Sequence, residues 1–137
     1  VVDGDRLIIS REGISGLYGL YGIDCPEPSQ PYGLAARDYV ETMITGRKIS
    51  IETVAMGAWG RPLIKLYVGD INLNETLLKK GLAWVNPYYC DQEFCYQWQA
   101  IEEKARQAAR GLWQGENPVS PWEWRRGDYR QKGAEER

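Results

Sequence analysis

The apolar residues of this chain arrive in short bursts cut by glycine. The runs RLIIS (6–10), GLYGLYGI (16–23), KISIETV (48–54), PLIKLYV (62–68) and GLAWVN (81–86) are rich in β-branched and aromatic side chains, which suit a pleated, half-buried surface. Ile49, Ile51 and Thr53 alternate with polar neighbours, the period of a strand with one face in a core. Glycine and polar residues at Gly13–Gly16, Gly57–Gly60 and Gly69–Asp70 mark turns between the runs. Such pieces make a small, strongly bent sheet.

Three helices are expected between the strands. Residues 33–45 repeat apolar side chains at Ala36, Tyr39, Val40, Met43 and Ile44 and stop at Gly46. The segment NLNETLLKKG offers Asn72 or Asn74 as a cap, ends on two lysines and stops at Gly81. The third, about residues 93–110, repeats at Phe94, Trp98, Ile101, Ala105 and Ala108 before Gly111. The order of elements implies an α+β fold, whose natural closed form is a five-stranded antiparallel barrel of the OB type. No internal repeat is visible. Trp122 and Trp124 are expected to pack back on the body, which places the domain at 1–126 and a charged, frayed tail at 127–137.

A length of 137 residues suits one domain with its own core. No apolar run approaches the ~20 residues of a membrane-spanning helix. The net charge of −2 creates no global basic field, so any phosphate ligand needs a local site. The chain opens on Val1-Val2 without an initiator Met or signal peptide, and reads as a processed or trimmed chain. Cys90 and Cys95 are spaced so that a turn can join them; the bridge is expected, against the alternative of three reduced thiols. A bridge would put the protein in the periplasm or outside the cell. Zinc is improbable, with three cysteines and no histidine.

Carboxylates gather at two turns. Asp3 and Asp5 stand in VVDGD, and Asp24 and Glu27 flank Cys25-Pro26 in GIDCPE. A cluster of this kind repels itself unless a cation sits within it, and hard oxygen donors suit calcium or magnesium. No EF-hand spacing follows Asp3 or Asp70. Arg61, between Gly60 and Pro62, leads into a strand, and a guanidinium fork fits a phosphate. Acids, metal and arginine together point to phosphoryl transfer.

The ordered set DGD, YGIDCPE, PYG…A, WGRPL and NETLLKKGLAWV resembles the staphylococcal nuclease (thermonuclease) family, and the ending RGLW…NPVSPWEWRR resembles its bacterial secreted members. The resemblance covers residues 1–126. It implies an OB-fold and calcium-dependent hydrolysis of phosphodiester bonds in DNA and RNA. On this match Asp5 and Asp24 are the calcium carboxylates and Cys25 lends its backbone carbonyl. Asp3 tunes the site without being a firm ligand. Glu27 activates or orients the attacking water, and Arg61 neutralises the phosphate. Trp59 and Tyr89 stand where the family places aromatics beside the nucleotide.

Two positions depart from that pattern. Gly19 stands where the family has a second phosphate-clamping arginine, five residues before Asp24, and Arg6 replaces the threonine after DGD. Arg6 or Arg11 could restore the lost donor; otherwise catalysis is slowed, or the domain is a module that binds nucleic acid or protein without turnover. Retention of Asp5, Asp24, Glu27 and Arg61 together favours the enzyme. The resemblance also implies a first strand extending upstream of Val1. The expectation is a monomer, with the unpaired sheet edge open to a partner strand.

Overall fold

The structure, a computed structural model, describes residues 1–127. The tail expected to fray lies outside them, apart from Gly127. Seven strands and four helices follow in order: β1 Arg6–Arg11, β2 Ile14–Leu20, β3 Ile23–Asp24, α1 Gly33–Ile44, β4 Ile49–Met56, β5 Pro62–Val68, β6 Ile71–Asn72, α2 Leu73–Lys79, β7 Trp84–Val85, α3 Cys95–Gln107 and α4 Pro121–Arg126. Short 3₁₀ turns occupy Ala58–Gly60 and Gly111–Gln114. The α+β expectation is met.

The sheet runs β1-β2-β5-β4, with β6 added to β5, and β3 pairs separately with β7. It is mixed and does not close. β2 and β5 run parallel, which their long connection through α1 and β4 permits; the other ladders are antiparallel. The run GLYGLYGI splits in two because Gly22, at φ 74°, takes a conformation that favours glycine and turns the chain toward β3. Glu12 and Gly13, both at positive φ, make the two-residue hairpin between β1 and β2.

Leu7, Leu20, Tyr21, Val40, Ile64, Leu66, Leu77, Leu78 and Trp98 form the main core between sheet and helices. Asn72, not Asn74, caps α2 by accepting from Glu75 N–H. Asn74 is fully buried: its Oδ1 accepts from Leu66 N–H, and its Nδ2 donates to the Tyr21 and Ile64 carbonyls. Buried amides persist where all their bonds are made. Asn74 thereby ties α2 to β5 and to the chain leaving β2.

The fourth helix was not expected. Its start, Ser120-Pro121-Trp122-Glu123, has proline at the first turn, and the Ser120 hydroxyl accepts from Glu123 N–H. Trp122 meets Trp84 and Tyr88 edge to face, and Trp84 meets Trp113 in the same way. Trp124 Nε1 donates to Ser29 Oγ at 3.1 Å. Both tail tryptophans therefore pack on the body, as expected. Cys90 and Cys95 are joined, and Cys25 is free and buried. Among the described residues, no helix is long and apolar enough to cross a membrane.

Candidate active site

The two acidic turns meet. Cys25 N–H donates to Asp5 Oδ2 at 2.7 Å, so the DGD turn before β1 is pinned to the end of β3. Asp3, 4% exposed, accepts from Asp5 N–H and from Arg6 Nε at 2.7 Å. Asp24 lies opposite Trp84 on the β3–β7 ladder. Glu27 N–H donates to Gln30 Oε1, and Gly33 packs against the turn so closely that a Cβ would collide with the Glu27 carbonyl oxygen. A side chain there would push the Glu27 turn off α1.

The electrostatics suit a cation. Burial, with Asp3 and Asp24 alongside, holds the Asp5 carboxyl well above the usual carboxylate range. Burial and the same three acids push the Cys25 thiol up as well. The hydrogen bonds from Asp5 and Arg6 outweigh burial at Asp3 and hold its carboxyl below that range.

A cation does sit there, supplied by the chain itself. Arg125 of α4 forks Asp24, its Nη2 at 2.7 Å from Oδ2 and its Nη1 at 3.2 Å from Oδ1, while Nη1 also reaches Glu27 Oε1 at 2.7 Å. Its guanidinium is held protonated by Asp24 first, then Glu27. Asn86 Nδ2 makes a longer contact, 3.5 Å, to Asp24 Oδ2. Asp5 and Asp24 are hard, clustered oxygen donors and Arg125 is a cationic stand-in beside them, so the donor set fits a divalent ion. Among the described residues, no group of three or more acidic or thiol side chains gathers at metal-binding spacing, so backbone carbonyls and water would have to complete the shell of an ion held by Asp5 and Asp24.

Arg61 closes the 3₁₀ turn before β5, its carbonyl accepting from Gly57 N–H at 2.7 Å. Its Nε is buried and has no hydrogen-bond partner among the described residues. A Cβ on Gly19 would lie 3.5 Å from Arg61 Cδ and 3.8 Å from the Asp5 carbonyl oxygen. Gly19 is therefore the junction between Arg61 and the acidic turn. Arg6, opposite Gly19 on β1, is taken up by Asp3. Arg11 lies at the far end of β1, opposite Ile14.

Trp59, 98% exposed at φ 63°, stands at the tip of the Arg61 turn, beside an open cleft of about 500 Å³ lined by Leu17, Tyr18 and Arg61. Tyr89 lies exposed on the loop after β7, its carbonyl accepting from Tyr21 Oη. The structure thus joins Asp3, Asp5 and Cys25 by hydrogen bonds, Asp24 and Glu27 through Arg125, and brings Arg61 up to the same turn at Gly19. Arg125 was missed. The Ser-Pro-Trp-Glu capping signal could have found its helix, but nothing in the sequence points its side chain at Asp24.

The staphylococcal nuclease homologue family matches residues 18–115. Over 126 residues the chain is 31% identical to an uncharacterized endonuclease of Escherichia coli O157:H7, covering 91% of this chain and 80% of that protein. It is 37% identical over 107 residues to staphylococcal-like nuclease CAN1 of Arabidopsis thaliana, covering 78% of this chain but 32% of the plant protein. A 28% identity over 121 residues relates it to the thermonuclease of Staphylococcus hyicus, covering 82% of this chain and 72% of that enzyme. The chain belongs to the staphylococcal nuclease homologue family. It spans about a third of the plant relatives and most of the bacterial ones.

Proposed function

We propose that the protein is a nuclease that hydrolyses phosphodiester bonds of DNA or RNA with calcium, at a rate limited by the lost arginine at position 19. The observation that carries this reading is the convergence of Asp5, Asp24 and Glu27 at the Asp5–Cys25 junction. Asp5 and Asp24, with the Cys25 carbonyl, are the residues that would hold the metal, and Asp3 orients the turn through Asp5 N–H. A calcium ion there would withdraw charge from a phosphoryl oxygen.

The chain's own groups do the rest. Glu27, freed from Arg125, takes the proton of the attacking water as its oxygen bonds to phosphorus and the ester oxygen departs. Arg61, whose Nε is uncommitted, donates to the phosphoryl oxygens as negative charge builds on them. Trp59, fully exposed beside the Arg61 cleft, offers a face for a base to stack on. Tyr89 offers a second. The Cys90–Cys95 disulfide supports a periplasmic or extracellular setting.

The second reading, a binding module without turnover, rests on Gly19, which removes one guanidinium from the phosphate site. Incubation of plasmid and single-stranded RNA with calcium, and with a chelator, separates the two. Calcium-dependent cleavage is expected. Tight binding with no cleavage at any calcium concentration would leave the binding module.

A further inference from the structure

We propose that Arg125 is a built-in counter-cation that competes with a divalent metal for Asp24 and Glu27, so that metal loading and release of the α4 strap form one linked equilibrium. The proposal rests on the reading above that Asp5 and Asp24 hold calcium, and says what occupies those carboxylates before calcium arrives.

Asp24 is buried, so its charge needs a partner. Arg125 meets that need through both carboxylate oxygens at once. A fork of that kind takes the lone pairs on the carboxylate's bidentate edge, and a metal beside the guanidinium would be repelled by it. The Glu27 contact extends the conflict to the proposed base, whose accepting oxygen is held by the same Nη1.

The placement of Arg125 is built by several independent contacts rather than by a wandering surface side chain. Ser120 caps the helix, Trp122 lies against Trp84 and Tyr88, and Trp124 bonds Ser29. Gln30 joins the two partners: its Oε1 holds Glu27 N–H while its Nε2 donates to the Val119 carbonyl just before α4. The strap is thus fastened to the same turn that carries Glu27. Its side chain is nevertheless 46% exposed, so the guanidinium can leave the carboxylates for solvent, and α4 then loses one of the tethers that hold it to the body. α4 lies beyond the residues matched by the family, which end at 115.

Linkage makes the proposal measurable without turnover. Calorimetric titration of calcium chloride into the folded full chain compares wild type, Arg125→Gln, Arg125→Lys and Asp24→Asn. Removing the competitor should tighten calcium about tenfold in Arg125→Gln, within the usual range of couplings between sites. Arg125→Lys should fall between, because lysine pairs as a point charge without a fork. Asp24→Asn should lose binding. Hydrogen exchange at the amides of residues 122–127 should quicken when calcium is added to wild type, and this reading needs no variant to fold. Equal or weaker calcium binding in Arg125→Gln, with Asp24→Asn inactive in binding, would overturn the competition and leave the metal site standing. Unchanged exchange in α4 at saturating calcium would overturn it too. Absence of calcium binding in every protein would overturn both this proposal and the reading beneath it.

Discussion

Arg6 and Gly19 face each other across β1 and β2, yet the Arg6 guanidinium turns to Asp3, with Nη2 at 2.6 Å and Nε at 2.7 Å from Oδ2. The arginine opposite the bare strand position is already committed to a buried acid. Asp3 accepts from both the Asp5 backbone N–H and the Arg6 guanidinium. Arg11 stands five residues further along β1, roughly 17 Å away at strand rise. Neither replaces the lost donor.

Gly19→Arg should therefore raise turnover. Gly19 is not among the glycines at positive φ, so a side chain meets no backbone strain. Its Cβ would stand 2.9 Å from Leu63 Cδ2, the far end of a flexible side chain that can move aside. One transition-state donor is worth about 100- to 1,000-fold in rate, so a gain of at least ~10-fold is expected at saturating calcium. Gly19→Ala serves as the steric control and should give no gain. An arginine variant no faster than the alanine variant would refute the account of Gly19.

Arg6→Ala should escape the roughly 100- to 1,000-fold fall in turnover that loss of a donor aimed at the phosphate brings. It should lower the melting temperature, since Asp3 stays buried after losing its partner. A fall in turnover as deep as that of Arg61→Ala would show that Arg6 had taken over the clamp.

How much of this was legible follows from where each signal lives in the chain. The helices α1, α2 and α3 announce themselves by local periodicity; Gly46 and Gly81 follow the caps of α1 and α2, whereas α3 ends at Gln107, short of the expected stop at Gly111, with Ala109 at positive φ. The acidic turns were legible because each carries its own local motif, and the Asp5–Cys25 bond needs only that two neighbouring turns meet. The parallel β2–β5 pairing was not legible, because strand direction depends on how the chain crosses between Leu20 and Pro62. Arg125 was the least visible of all. It reaches Asp24 across 101 residues, and the helix that carries it was not expected at all. Asn74 was read as a possible cap because its surroundings match one; only packing shows it serving three backbone groups.

Asn74→Leu tests that packing. It leaves the Leu66 N–H and the Tyr21 and Ile64 carbonyls without their side-chain partner in a dry interior, at about 1–3 kcal/mol for an unmade buried bond. A loss of roughly 2–4 kcal/mol in urea unfolding is expected, with the slope against urea unchanged. A loss under ~0.5 kcal/mol, the range of an ordinary surface change, would mean that the amide is dispensable.

The Cys90–Cys95 bridge closes a short loop, with a sequence separation of 5, so chain entropy assigns it only about 2 kcal/mol. The loop also carries Asp91, whose Oδ1 accepts from the buried Tyr21 hydroxyl at 2.6 Å. Reduction should lower the melting temperature by several degrees, about 4–8 °C for each 1 kcal/mol in a small domain and less in a larger one, and loosen Tyr21. Alkylation of the unreduced protein followed by mass spectrometry should modify Cys25 at most, and only slowly because it is buried. Three modified thiols would remove the bridge and the extracytoplasmic setting with it.

On the reading proposed above, Asp24 and its acidic neighbours hold the ion on which phosphodiester cleavage depends. The direct measurement is the rate of plasmid cleavage against calcium concentration for wild type and Asp24→Ala, both shown to be folded. The wild-type rate should rise with calcium and saturate, while Asp24→Ala should stay at the level seen with chelator across the same range. Equal, calcium-responsive cleavage by Asp24→Ala would place the ion elsewhere and contradict the account.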